Sequence, residues 1–157
     1  PSFLYLIMKC VYDMVKQNRL YLDVVFFDEI WRLMMHKEAG TQIKDMVKII
    51  RGYGGSIIPI TQDINDYVND PNGKAILSGS AIKFIMHLEP TEAHLVGTQL
   101  GLSKEDIQSI INLHRGQGML LTSKIKTIVN VVPSSKEDYE FTTDPIKRRQ
   151  YAIMEQG

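Results

Sequence analysis

Leu22-Asp23-Val24-Val25-Phe26-Phe27-Asp28-Glu29 decides how the rest of the chain is read. Four consecutive apolar residues, two β-branched and two aromatic, suit a buried parallel strand. Two adjacent carboxylates close the run, and open α/β sheets bind their ligands at the C-terminal ends of their strands. A plainer use of the first acid stays open at this point, since Asp28 could cap a helix beginning near Ile30.

Outward from this strand, helix and strand patterns alternate. Upstream, Ser2 can cap a helix running to about Gln17, with Phe3, Ile7, Val11 and Met14 among its apolar positions. Downstream, residues 30–36 read as a short helix or turn. Residues 41–51 are amphipathic, with Ile43, Met46, Val47 and Ile50 on one face, and Gly52, Gly54 and Gly55 stop the helix. Residues 56–61 form a second strand, in which Pro59 argues against a central antiparallel position. Asp63 then opens a short helix to about Asn69. Asp70-Pro71-Asn72-Gly73 reads as a turn, residues 74–78 as helix and residues 81–88 as a third strand. A helix starts at Pro90-Thr91 and ends at Leu100-Gly101. The next has a full start signal: Ser103 as cap, Asp106 at the reciprocal position, and Leu102 stapled to Ile107. Residues 118–123 and 125–132 are two strands with almost no link, hence an antiparallel hairpin. The tail carries a short helix near Glu137 and a basic helix from Ile146. The expected architecture is α/β, a mostly parallel sheet closed by an antiparallel hairpin with helices on both faces. Residues 1–133 form the main body and 134–157 a helical tail.

Composition narrows the class. At 157 residues with 44% hydrophobic content, one globular domain is expected. Lysine plus arginine equals aspartate plus glutamate, which argues against a dedicated nucleic-acid arm. Cys10 is the single cysteine, cannot pair within the chain, and sits in an apolar helical stretch, so it is read as a small core residue in a reducing, cytoplasmic setting. His36, His87, His94 and His114 show no metal-ligand spacing. The apolar opening from Pro1 to Cys10 is too short to span a bilayer and lacks the marks of a signal peptide. Its abrupt start inside a helix leads to the expectation of a piece of something larger.

An apolar strand ending in Asp-Glu matches the Walker B pattern of P-loop ATPases. Three later segments follow it in order. Arg51-Gly52-Tyr53-Gly54-Gly55 precedes the second strand, and Ile60-Thr61-Gln62-Asp63-Ile64-Asn65-Asp66-Tyr67 ends it. Leu113-His114-Arg115-Gly116-Gln117-Gly118-Met119-Leu120-Leu121 enters the hairpin. With residues 100–106 and 139–145, these segments resemble the C-terminal motor domain of type IV secretion and conjugation ATPases, closest to the VirB-four-type (TraC/TraE-type) group. The resemblance runs collinearly over nearly the whole chain.

It implies a RecA-like P-loop NTPase domain that binds ATP and Mg²⁺. In this family the motor is usually a hexamer on the cytoplasmic side of a secretion channel, working with other channel subunits. Carried over, Asp28 orients Mg²⁺ through water and Glu29 is the general base or water-positioning group. Gln62 resembles the sensor of the γ-phosphate. Arg51 resembles an arginine finger offered to a neighbouring subunit, and Arg115 belongs to the family's last motif. Phosphoryl transfer needs positioning and charge neutralisation more than covalent chemistry, which suits these residue types. Bland roles stand beside them: Arg51 at a helix C-terminus, Asp63 as a cap, Arg115-Gly116 as a plain loop, Trp31 as core or interface. Two departures matter. Gln117 stands where the family's last motif usually carries Glu. No G-x-x-x-x-G-K-[ST] occurs, and Gly73-Lys74 reads as a turn instead. A Walker A segment upstream of Pro1 is therefore an expected partner, and the 157 residues alone are expected to be inactive. An FtsK/HerA-like DNA translocase and a non-catalytic interaction domain of the same fold are the alternatives. DNA contact is not evident from the charge.

Overall fold

The computed structural model describes residues 2–17, 22–34 and 36–154, apart from the side chains of residues 2–5, 33, 37, 38 and 66. The elements follow the alternation read from the sequence. Helix α1 (Ser2–Gln17) leads to strand β1 (Asp23–Phe27), the short α2 (Trp31–Met34) and α3 (Lys37–Ile49). A 3-10 turn (Ile50–Tyr53) then enters β2 (Gly55–Pro59). Helices α4 (Asn65–Asn69) and α5 (Pro71–Gly79) precede β3 (Lys83–Ile85), and α6 (Pro90–Leu100) and α7 (Lys104–Ile111) follow it. Strands β4 (Gln117–Leu121) and β5 (Lys126–Asn130) form the hairpin, and α8 (Ser135–Phe141) and α9 (Pro145–Met154) the tail.

The strands divide into two sheets rather than one. β1 and β2 are parallel, with Asp23 opposite Gly55 and Phe27 opposite Pro59. β3, β4 and β5 form an antiparallel sheet in that order. The expected single, mostly parallel sheet is thus corrected: β3 pairs with the hairpin, and no described strand joins β2 to β3.

Helices on both faces are corrected as well. Val25, Phe27 and Ile57 pack against Met8 and Val15 of α1, Ile43 and Met46 of α3, and Ile76 of α5. Along β1, exposure alternates, and Val24 and Phe26 on the other face are 52% and 64% exposed. The four-residue apolar run supplies two greasy faces, and the described helices cover one. A second core joins Ile85 and Met119 of the antiparallel sheet to Ala93 of α6 and Ile107 and Ile110 of α7.

Several local expectations shift for physical reasons. The inward stripe of α1 is Met8, Tyr12 and Val15, whereas Ile7 and Met14 are exposed. The Phe3 and Ser2 side chains lie outside the described residues. Cys10 is exposed, not core, because it falls off that stripe. The supposed turn at residues 70–73 is the start of α5. Asp70 caps it, its Oδ1 accepting the N–H groups of Asn72 (2.8 Å) and Gly73 (3.0 Å), with Pro71 in the first turn. The Ser103–Asp106 capping box forms as read, and Leu102 and Ile107 meet in the second core. No described helix is long and apolar enough to cross a membrane.

Candidate nucleotide site

Parallel pairing brings the C-terminal ends of β1 and β2 out side by side. The ladder continues past the strands: Ile60 N–H donates to the Phe27 carbonyl (2.8 Å), and Ile30 N–H to the Ile60 carbonyl (3.1 Å). These two bonds pin the chain on either side of Asp28-Glu29. Within the pinned turn Glu29 has φ 51°, a left-handed backbone that a side chain adopts at a cost of roughly 1–3 kcal/mol.

The carboxylate of Glu29 is held at both oxygens. Oε2 accepts the indole N–H of Trp31 at 2.6 Å, and Oε1 accepts the amide N–H of Gln62 at 2.8 Å. Gln62 is 33 residues further along the chain. Asp28 is exposed, and its Oδ1 accepts the N–H of Glu29 at 3.0 Å. That bond reaches only the next residue, so Asp28 does not cap α2, which begins at Trp31. A shallow cleft of about 300 Å³ opens between Glu29, Trp31, Gln62 and Asp63. Asp63 plays the local part expected of it, its Oδ1 accepting the backbone N–H of Asn65 at 2.8 Å.

A profile of the TraG P-loop domain family matches residues 2–152. The chain belongs to the TraG P-loop domain family. Among solved structures, VirB4 of Thermoanaerobacter pseudethanolicus superposes with a TM-score of 0.75 at 23% identity, covering 83% of this chain and 36% of that one. The fold is therefore RecA-like, and the chain spans about a third of the length of that VirB4 chain. No curated protein sequence matches significantly.

In this TraG P-loop domain, the sequence-derived candidates fall into two groups. Asp28, Glu29 and Gln62 come together. Arg51 stands apart: it is exposed in the 3-10 turn that enters β2, so five residues of strand, roughly 13 Å, separate it from the carboxylate end. Arg115 is exposed in the loop between α7 and β4, next to Gly116 at φ 84°. Its charge reaches Asp138 and Lys147 of the tail, helping to hold the Asp138 carboxyl below its ordinary range after the larger effects of the Lys147 and Tyr151 hydrogen bonds. The amide oxygen of Gln117 accepts the N–H of His114 at 2.9 Å, which closes the loop that presents Arg115.

Trp31 was read from the sequence as core or interface, and its bond to Glu29 is what that reading missed. It is half-buried, donates to Glu29, and carries the Arg32 guanidinium 5.4 Å from its ring centroid. Its position two residues after the acid was the available signal, but only the left-handed turn at Glu29 makes that spacing a contact.

The donor set suits a hydrated Mg²⁺ in part. One oxygen of Asp28 is used by the Glu29 N–H, which leaves Oδ2 for an ion that binds through one or two carboxylates and keeps several waters. The phosphate-cradling glycine loop and its lysine have no counterpart in the sequence, since Gly73-Lys74 lies inside α5. Among the described residues no group of three or more His, Cys, Asp or Glu could hold a metal by itself.

Proposed function

We propose that this chain is the Walker B-containing part of an ATP-hydrolysing motor that energises conjugative DNA or protein transfer through a type IV secretion system. The observation that carries the reading is the clamped Glu29. A carboxylate in a left-handed turn, at the end of a parallel strand, is held by a glutamine from the neighbouring strand end. Membership of the TraG P-loop domain family and the likeness in fold to VirB4 support it.

In this mechanism Asp28 is the residue that would hold a hydrated Mg²⁺, through the oxygen not used by the Glu29 N–H. When bound, Mg²⁺ supplies charge neutralisation on the ATP phosphates. Glu29 orients the attacking water and accepts its proton, and Gln62 links that water to the state of the γ-phosphate. Such a general base contributes typically 10²–10⁴-fold to rate. Arg51, at the far end of β2, serves a neighbouring subunit's nucleotide in a homo-oligomer, a hexamer in the full-length protein. Its distance from its own carboxylates fits a residue acting in trans. Arg115 faces phosphate or that same subunit boundary. The phosphate loop comes from a Walker A segment outside these 157 residues, whose strand fills the gap between β2 and β3. The assembled motor works peripherally at the cytoplasmic face of the cell membrane with other channel subunits.

Glu29→Gln in the full-length protein tests the assignment. Phosphate release from ATP should fall by at least about a hundredfold with ATP binding retained. An unchanged turnover would favour a non-catalytic interaction domain of the same fold.

A further inference from the structure

We infer that Trp31 is a positioning residue for Glu29: its indole N–H fixes the plane of the carboxylate from which the attacking water is oriented. The inference rests on the assignment of Glu29 as the water-orienting group.

The geometry separates what each neighbour does. The left-handed backbone at Glu29 sets the direction in which its side chain leaves the chain. Gln62 holds one oxygen, Oε1, at 2.8 Å. A carboxylate tethered at one oxygen can still pivot, because the terminal torsion of glutamate is broad. Trp31 holds the second oxygen, Oε2, at 2.6 Å. Two tethers from two elements, α2 and the segment after β2, leave the carboxylate a single plane.

The tethers do not block the group. An ionised carboxylate offers about four acceptor positions, so one bond at each oxygen leaves room for a water on either. Indole suits the task because it donates and cannot accept a proton in its place. Trp31 is itself fixed. It opens α2 directly after Ile30, which is bonded to the Ile60 carbonyl, and the Arg32 guanidinium lies against its ring. Productive constellations tolerate errors of roughly 0.5 Å and 10–20°, so a pivoting carboxylate would be orienting water poorly most of the time.

The test is a double-mutant cycle in the full-length protein, with Trp31→Phe and Glu29→Gln alone and together. Trp31→Phe keeps an aromatic side chain and deletes the donor. It should lower kcat roughly tenfold, as expected for losing one hydrogen bond to a charged group, while KM for ATP stays within about twofold. In the Glu29→Gln background the same change should add nothing, since Trp31 acts only through Glu29. An unchanged kcat in Trp31→Phe, beside an inactive Glu29→Gln, would overturn the positioning role and leave the assignment of Glu29 intact. An active Glu29→Gln would overturn that assignment itself. A loss in both backgrounds, or one confined to KM, would mean that Trp31 merely supports the fold. If Trp31→Phe unfolds, the indole ¹⁵N–¹H resonance of the otherwise unaltered protein decides. It should move in Glu29→Ala and stay in Arg51→Ala, and a resonance unmoved by Glu29→Ala overturns the inference.

Discussion

Asp28 and Glu29 are neighbours in sequence, but only Glu29 has a left-handed backbone. Asp28 leaves the strand end towards solvent, while the left-handed φ of Glu29 turns its side chain across the end of β2 towards Gln62. The two acids should therefore fail differently. Asp28→Ala in the full-length protein should raise the Mg²⁺ concentration needed for half-maximal ATPase by about tenfold, a loss of one direct or water-mediated ligand. Glu29→Gln should leave that concentration unchanged and lower kcat. Mg²⁺ titrations of the two variants separate the roles; identical shifts in both would show that the acids act as one group. Gln62→Ala removes one tether of Glu29 and should lower kcat by about tenfold. Much of this site was legible in the chain itself. The strand pattern put the acids at a ligand-binding edge, and the collinear segments singled out Gln62. Trp31 was not legible, because a contact over two residues depends on one positive φ that no composition rule announces for glutamate.

Elements show the same division between local signals and tertiary choices. Starts with chemical markers were readable, as at Ser103, where the hydroxyl accepts the N–H of Asp106 and the Asp106 carboxylate accepts that of Ser103. Asp70-Pro71 carried the same kind of marker, but Gly73 two residues on argued for a turn; Gly73 is buried inside α5 instead. The stripe of α1 was misread because Ile7 and Met14 are as apolar as Met8 and Val15, and only packing chooses between them. Asp106 also bonds Lys126 across to β5, and that bond, followed by the Ser103 N–H, holds its pKa below the ordinary 3.8. A depressed folded-state value means that its stabilisation is complete above the unfolded value and disappears as pH falls through the folded one. Asp106→Asn should thus lower the thermal midpoint at pH 7 and converge with the parent as pH falls through the depressed folded-state value, a trend that pH-resolved melts would read. A gap that stays constant through the acid range would assign the effect to the amide geometry instead. Packing sets a sharper limit at Gly97, where an added Cβ would lie 2.4 Å from Ile107 Cδ1 and 2.5 Å from its Cγ1. Gly97→Ala should destabilise by roughly 1–3 kcal/mol through overpacking of α6 on α7. Combined with Ile107→Ala, its cost should be less than additive in denaturant melts.

At the scale of the whole molecule, the two sheets explain why a run that reads as buried is half exposed. Val24 and Phe26 of β1 and Ile58 of β2 line one bare face, and Phe84 of β3 and Ile82 just before it are exposed as well. Monomeric proteins rarely leave large contiguous apolar patches in water, and the edges of β2 and β3 have no partner strand among the described residues. The P-loop segment proposed above would pair those edges and cover that face, and it would bring the phosphate cradle to Asp28 and Glu29. Two consequences can be measured together. The 157 residues alone should show no micromolar ATP binding by calorimetry, since neither glycine loop nor phosphate lysine is present. They should also bind a hydrophobic dye, and Phe26→Ser with Ile58→Ser should reduce that signal. In the full-length protein the same pair should do the opposite of helping. It places two hydroxyls in a buried inter-element contact, at a cost of roughly 1–3 kcal/mol each when unpartnered, and should lower the thermal midpoint. A dye signal from the short chain that survives the substitutions, or a full-length protein indifferent to them, would place the P-loop segment elsewhere on the molecule.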